Sequence, residues 1–105
     1  MTVRFLVLWN TPANPEAFNQ HYRDVHIPLG RQLPGLRRYT VGRDLTAVHG
    51  DAPYYLVSEL EWDTMDDLNA AFASPEGQAT AADRVRLEEF ASVRMILVAD
   101  VESVL

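Results

Sequence analysis

Three of the four strand-like segments in this chain are apolar on both faces, which limits the folds open to it. Along Val3-Arg-Phe-Leu-Val-Leu-Trp9, Leu6 and Leu8 fall on one face, and Phe5, Val7 and Trp9 on the other. Between Tyr54 and Trp62, Leu56 and Leu60 oppose Tyr55 and Val57, and Met95-Ile-Leu-Val98 is apolar throughout. A sheet that met water on one side would alternate apolar with polar residues. Both faces are therefore expected to be covered.

The segments between the strands carry helix signals. Asn14-Pro15-Glu16 supplies a capping side chain, a proline for the first helical position and an early acid. Phe18, Tyr22 and Val25 follow at i, i+4 and i+7 and make one apolar stripe. Pro28 disfavours helical geometry at Ile27, which predicts a helix end near His26. A turn over Pro28 to Leu33 then runs into Pro34-Gly35 and a second strand, Leu36 to Leu45. A polar tip, Thr46 to Pro53, separates it from the third strand, Tyr54 to Trp62. Asp63 or Thr64 caps a helix with Met65, Leu68 and Phe72 on one side. Ser74-Pro75-Glu76 opens a further helix through Val85 to Phe90, and Val93 to Val101 forms the last strand. The order β-α-β-β-α-β is that of the ferredoxin-like α+β sandwich. That sandwich has helices on one sheet face only, so a second copy of the chain is the expected cover for the other. The expectation is a homodimer with its sheets face to face. A chain of 105 residues buries only about two-thirds of its unfolded surface, and so has little material with which to enclose a pocket alone.

Charge narrows the partners. Nine basic residues, all arginine, stand against fifteen acids, for a net charge of −6. Phosphate backbones and anionic membranes want a basic face, so neither nucleic acid nor membrane is expected. Residues 1–50 hold six arginines and three acids, and residues 51–105 hold three and twelve. The second half reads as a solvated acidic helix surface. Without lysine there is no Schiff-base chemistry, and without cysteine no disulfide, thiolate nucleophile or sulfur metal site. With no charged-then-apolar leader segment, the cytoplasm is the expected compartment. The longest apolar stretch, Phe5 to Trp9, is too short for a bilayer.

Few residues are left for chemistry. His21 and His26 are five apart, which puts them about 140° apart around an α-helix, and His49 lies in the polar tip. No metal site is expected, and no GxGxxG, GxxxxGK[ST] or GxSxG context occurs. His26 sits where the helix is predicted to stop, and its imidazole titrates near neutrality; either it acts as an acid or base, or it caps the last carbonyls. Tyr39, on a face with Val41 and Arg43, either donates a hydrogen bond to a substrate carbonyl or developing enolate or fills the sheet interface. Glu59, on a face with Tyr55 and Val57, is the third catalytic candidate, with an edge position in solvent as the alternative. Trp9, Tyr22, Tyr55 and Phe72 are the aromatics available to bind a substrate.

Phe18-x-x-x-Tyr22-x-x-x-His26-x-Pro28-Leu29 and Leu33-Pro34-Gly35-Leu36-x-x-Tyr39 resemble the hallmark of the EthD family. Ala71-Phe72-x-Ser74-Pro75-Glu76-Gly77-Gln78 and Ala82-Asp83 resemble its second signature, and the likeness covers nearly the whole chain as one EthD-like domain, residues 1–105. The resemblance implies a dimeric α+β barrel with one pocket per subunit. It also implies chemistry without a metal or organic cofactor, with a histidine at the place of His26 and a tyrosine at the place of Tyr39 as the pocket's polar groups. The family's namesake is linked to degradation of ethyl tert-butyl ether, and its relatives include methylmuconolactone isomerases and fungal polyketide dehydratases or decarboxylases. Where relatives use a cysteine this chain has none, so thiol-assisted chemistry does not carry over. The expected activity is cofactor-free acid–base chemistry on a small hydrophobic ligand, a lactone, polyketide or xenobiotic intermediate. The alternatives are a non-catalytic dimer that binds such a ligand, and a cofactorless monooxygenase of the antibiotic-biosynthesis type.

Overall fold

The first strand, β1 (Thr2–Trp9), is the centre of a four-stranded antiparallel sheet in the computed structural model, which describes residues 2–105. It is flanked by β3 (Leu56–Trp62) and β4 (Val93–Val101), and β2 (Arg38–Gly42) lies outside β3, for the order β2-β3-β1-β4. The register sets Val3 opposite Trp62, Val7 opposite Ser58 and Trp9 opposite Leu56. Alternation then puts these residues on one face, where all are buried. The helices pack on that face: α1 (Pro15–His21), α2 (Ile27–Gly30), α3 (Met65–Ala73) and α4 (Pro75–Leu87). This is the expected ferredoxin-like α+β sandwich.

Local chemistry explains the helix ends. Asn14 Oδ1 accepts the Ala17 N–H and Thr64 Oγ1 accepts the Asp67 N–H, each at 3.1 Å. Ser74 serves two helices at once. Its hydroxyl donates to the Ala71 carbonyl at the end of α3 and accepts the Gly77 N–H at the start of α4. The Trp62 indole N–H donates to the Pro34 carbonyl at 2.9 Å, which pins the approach to β2 beside Gly35, at φ +70°.

The first helical arm departs from expectation. It does not stop at His26 but continues to Gly30. Between α1 and α2 the turn over Tyr22–His26 is a π turn, in which the Ile27 N–H bonds the Tyr22 carbonyl five residues back. Pro28 has no N–H to give the Asp24 carbonyl, and its ring would press on that carbonyl in a regular α-helix. The chain meets this obstacle by widening one turn rather than by ending. Element ends differ elsewhere too: β2 is shorter than Leu36 to Leu45, β3 begins at Leu56 rather than Tyr54, and α4 ends at Leu87. Single backbone bonds still continue past some of these ends, from the Arg37 N–H to the Glu61 carbonyl, from the Tyr55 N–H to the Trp9 carbonyl and from the Glu88 N–H to the Arg84 carbonyl.

The α3–α4 corner depends on Gly77. A Cβ there would lie 2.7 Å from the Phe72 Cα and closer still to the Ala71 carbonyl, both of them backbone atoms that cannot swing aside. Gly77→Ala is expected to cost about 1–3 kcal/mol. Thermal denaturation reads this directly, and an unchanged midpoint would contradict the packing described.

Candidate active site

A cavity of about 150 Å³ lies between the helices and the buried face of the sheet. Apolar cavities of roughly this size hold a single benzene-sized ring. The cavity is partly open, as the short chain leads one to expect. Its walls are supplied by Val7 and Leu60 on the sheet, Phe72 on α3, and Gly77, Thr80 and Ala81 on α4. Small residues keep the two layers apart at this point. Gly30 is one of them: a Cβ on it would sit 2.9 Å from Cε2 of Tyr39, so its absence lets the Tyr39 ring lie against the helix.

The π turn brings His26 to this cavity. Its side chain is mostly buried, and Nδ1 lies 2.9 Å from Oδ2 of Asp83, a residue only 1% exposed. The other carboxylate oxygen, Oδ1, lies 2.7 Å from Nε2 of His21. Two histidines expected on different helix faces therefore meet one carboxylate. The physical reason is the i→i+5 turn between them, which stacks residues five apart as an α-turn stacks residues four apart. An ionised carboxylate only accepts, so both nitrogens facing it donate. His26 is thus held with its N–H on Nδ1. Its Nε2 has no partner among the described residues and opens on the cavity that His26 lines. This is not a capping histidine.

Burial lowers the His26 pKa below its usual 6.5, and the hydrogen bond and charge of Asp83 only partly oppose this. The ring is accordingly a neutral acceptor near pH 7. Tyr39 lines the cavity from β2, and Tyr22 packs its ring 5.2 Å from that of His26. Burial raises both phenol pKa values, and that of Tyr39 rises further through Tyr22, while hydrogen bonding to Ser58 and Tyr39 holds Tyr22 back in part. Both phenols stay protonated and are donors, not bases. Phe72 forms a wall, edge-on to Phe5 at 5.0 Å and to Trp62 at 5.5 Å.

The EthD domain family model matches residues 10–92, a span that includes His26, Tyr39 and Asp83. The chain belongs to the EthD family. A relative from Rhodococcus erythropolis, an 11.0 kDa protein in the thcB–thcC intergenic region, is 38% identical over 81 residues, 76% of this chain and 78% of its own. The crystal structure of an EthD family protein from Bacillus halodurans superposes with a TM-score of 0.80 at 30% identity, covering 91% of this chain and 97% of that one. SnoaB, a cofactor-independent oxygenase from Streptomyces nogalater, shares the fold at TM-score 0.67 and 19% identity, over 98% and 96% of the two chains. A dimeric ferredoxin-like protein from Thermobifida fusca does so at 0.68 and 22%, over 95% and 92%.

In this EthD protein, His26, Tyr39, Tyr22 and Phe72 come together, and three other candidates do not. Glu59 pairs with Leu6 and Thr40 and, by alternation, points to the opposite face of the sheet from the cavity. Trp9 is fully buried against Phe18 and packs the core instead of lining the cavity. The Tyr55 hydroxyl donates to Asn19 Oδ1 at 2.9 Å, outside the site. Sequence reasoning missed Asp83, Ser58 and Arg84, which also border the site. One signal for Asp83 was available: it stands four residues before Leu87, on the buried stripe of α4. Among the described residues no group of side chains is arranged to hold a metal ion, and no helix is long and apolar enough to cross a membrane.

Asp83→Ala leaves the buried His26 N–H without an acceptor. A loss of about 1–3 kcal/mol is expected, read as a lower urea midpoint at unchanged slope; a midpoint equal to wild type would contradict it.

Proposed function

We propose that this EthD protein is a cofactor-independent enzyme that moves a proton at a carbon beside a carbonyl. Its substrate is a small, apolar, cyclic or aromatic molecule of the lactone, polyketide or xenobiotic-intermediate kind. One observation carries this reading: a buried carboxylate fixes His26 so that a neutral Nε2 opens on an apolar cavity. A positioned imidazole needs a partner that stabilises the charge left on the substrate, and Tyr39 is a protonated donor in the same cavity. In the step envisaged, His26 Nε2 takes the substrate proton, Asp83 steadies the imidazolium, and the Tyr39 hydroxyl donates to the oxygen that becomes negative. The cavity volume favours a single ring. SnoaB is described as an oxygenase; that reading for this chain shares the deprotonation and differs in consuming oxygen, which an oxygen electrode measures.

Assays over lactones and phenolic ketones test the assignment. His26→Ala is expected to lower kcat/KM by about 10²–10⁴, and Tyr39→Phe by a smaller factor. Equal turnover by His26→Ala and wild type would overturn the reading. Because the His26 pKa is lowered and the neutral ring is the active form, activity should stay level down through 6.5, the ordinary imidazole value, and fall only at more acidic pH. A rate that rose on acidification would invert the assigned role.

We also propose a homodimer. Strand β4 pairs with β1 alone, and its consecutive Met95, Ile96 and Leu97 are each between 41% and 46% exposed. A long apolar edge strand left open invites pairing with other chains, and a second copy laid across it and the outer sheet face would bury it. Sedimentation equilibrium should give twice the 11.9 kDa chain mass, with Ile96→Lys shifting the protein to monomer. A wild-type monomer at micromolar concentration would refute this.

A further inference from the structure

The helix layer contains a titratable group that the proposed reaction does not use. His21 shares Asp83 with His26, but the two rings face different surroundings. The His26 side chain is 10% exposed and borders the cavity; the His21 side chain is 27% exposed and borders a surface groove with Gln20 and Asp24. One carboxylate thus bridges an imidazole on the substrate side and an imidazole on the solvent side, with contacts of 2.9 and 2.7 Å on its two oxygens.

We propose that His21 is the proton outlet of the site: Asp83 balances one imidazolium at a time, so proton uptake by His26 is matched by proton release from His21 to water. The proposal rests on the reading of His26 as the base, but the coupling itself needs no substrate.

The charges balance at each stage. The cycle we propose starts with hydrogens on both His21 nitrogens, an ionised Asp83 and a neutral His26, for a net charge of zero. The substrate C–H bond breaks, its electron pair stays on carbon, and the proton goes to His26 Nε2. Two imidazoliums would then share one buried carboxylate, which is costly. His21 releases its Nδ1 proton to water, keeps Nε2–H on Asp83, and the cluster is neutral again. When His26 returns its proton to the product carbon, His21 takes one back from water. No proton crosses the carboxylate.

The groups around the cluster favour this exchange. On α4, Arg86 brings its guanidinium to 4.0 Å from Asp83 Oδ1, and Arg84, paired with Glu88, stands beside His26. Both oppose a second positive charge. On the first helical arm Asp24, in contact with Arg23 at 3.2 Å, borders the groove at His21, and the neutral Tyr22 phenol lies against His26. Arg86 faces the same carboxylate oxygen as His21, and Arg84 lines the cavity with His26, so each imidazole has a cation near it. Charged His21 and Arg84 each push the His26 pKa down, in addition to burial.

Proton NMR titration of the imidazole Cε1–H signals tests the coupling, with His49 in the exposed tip as an internal reference. His21→Gln keeps an N–H donor for Asp83 but cannot become charged. In that variant His26 should titrate higher by about one pH unit or more, the size at which two groups behave as a pair. By reciprocity His26→Gln should raise His21 by the same amount, a result that loss of a merely structural contact would not give. If either variant fails to fold, the wild type decides the matter: each imidazole should show two steps in its titration, and single independent steps overturn the proposal. A His26 curve in His21→Gln that superimposes on wild type does the same. The two failures are distinguishable. Superimposable curves remove the outlet and leave the base in place, whereas full turnover by His26→Ala removes the base and leaves the coupling measurable.

Discussion

The helix layer is organised around the carboxylate of Asp83. Taking an ionised carboxylate out of water costs several kcal/mol, recovered only with donors in good geometry. At 1% exposure Asp83 has two, the facing nitrogens of His21 and His26. Those donors are on the first helical arm and the acceptor is on α4, so the pair of hydrogen bonds fixes the two against each other. An ordinary α-helix would present only one of the histidines to α4. The π turn presents both, and the sequence element that provokes it is Pro28. A proline that expectation treats as a terminator is thus part of the reason a carboxylate can be buried here.

The cavity follows from what surrounds that fixed contact. With α4 held at Asp83, Gly77 and Ala81 on the same helix border the cavity and are too small to fill it. Gly77 also lets α4 turn tightly off α3, which brings Phe72 over Phe5 and Trp62 as a wall. Gly30 admits the Tyr39 ring from the other side. The empty volume is a consequence of where backbones approach closely, and a 105-residue chain can therefore line most of it without surplus material.

Much of the architecture was legible in the sequence because it is encoded locally. Asn14, Thr64 and Ser74 announce their helix starts through capping chemistry that acts within three residues, and strand order follows from the succession of elements. His26 and Tyr39 could be named as polar residues of an apolar neighbourhood. What the sequence did not yield depends on distance along the chain. Asp83 is 57 residues from His26 and looks like one more acid in an acidic half; only packing sets it apart. Glu59 failed for the opposite reason. Its residue type suited acid–base work, but strand parity turns it to the other side of the sheet from His26, and parity is settled by which face the helices cover. The π turn escaped detection because the preference of the residue before proline predicts that a helix is interrupted, and does not say whether it ends or widens.

Electrostatics give the two faces of the sheet different characters. On the outer face Arg4 and Glu61 pair across neighbouring strands at 2.8 Å beside Leu6 and Leu8, a mixed surface suited to lying against another protein surface. On the inner face each charge near the cavity has a partner: Asp83 has its histidines, and Arg84 has Glu88. A site with balanced charges and apolar walls has no net attraction for an ionic ligand, which is consistent with the neutral ring proposed as substrate. In the proposed reaction the substrate becomes negative as His26 becomes positive, and that ion pair forms inside the cavity. An acid left unpaired on the cavity wall would repel the developing anion. The burial of Asp83 behind two imidazoles therefore supplies a carboxylate to the histidine without exposing it to the substrate.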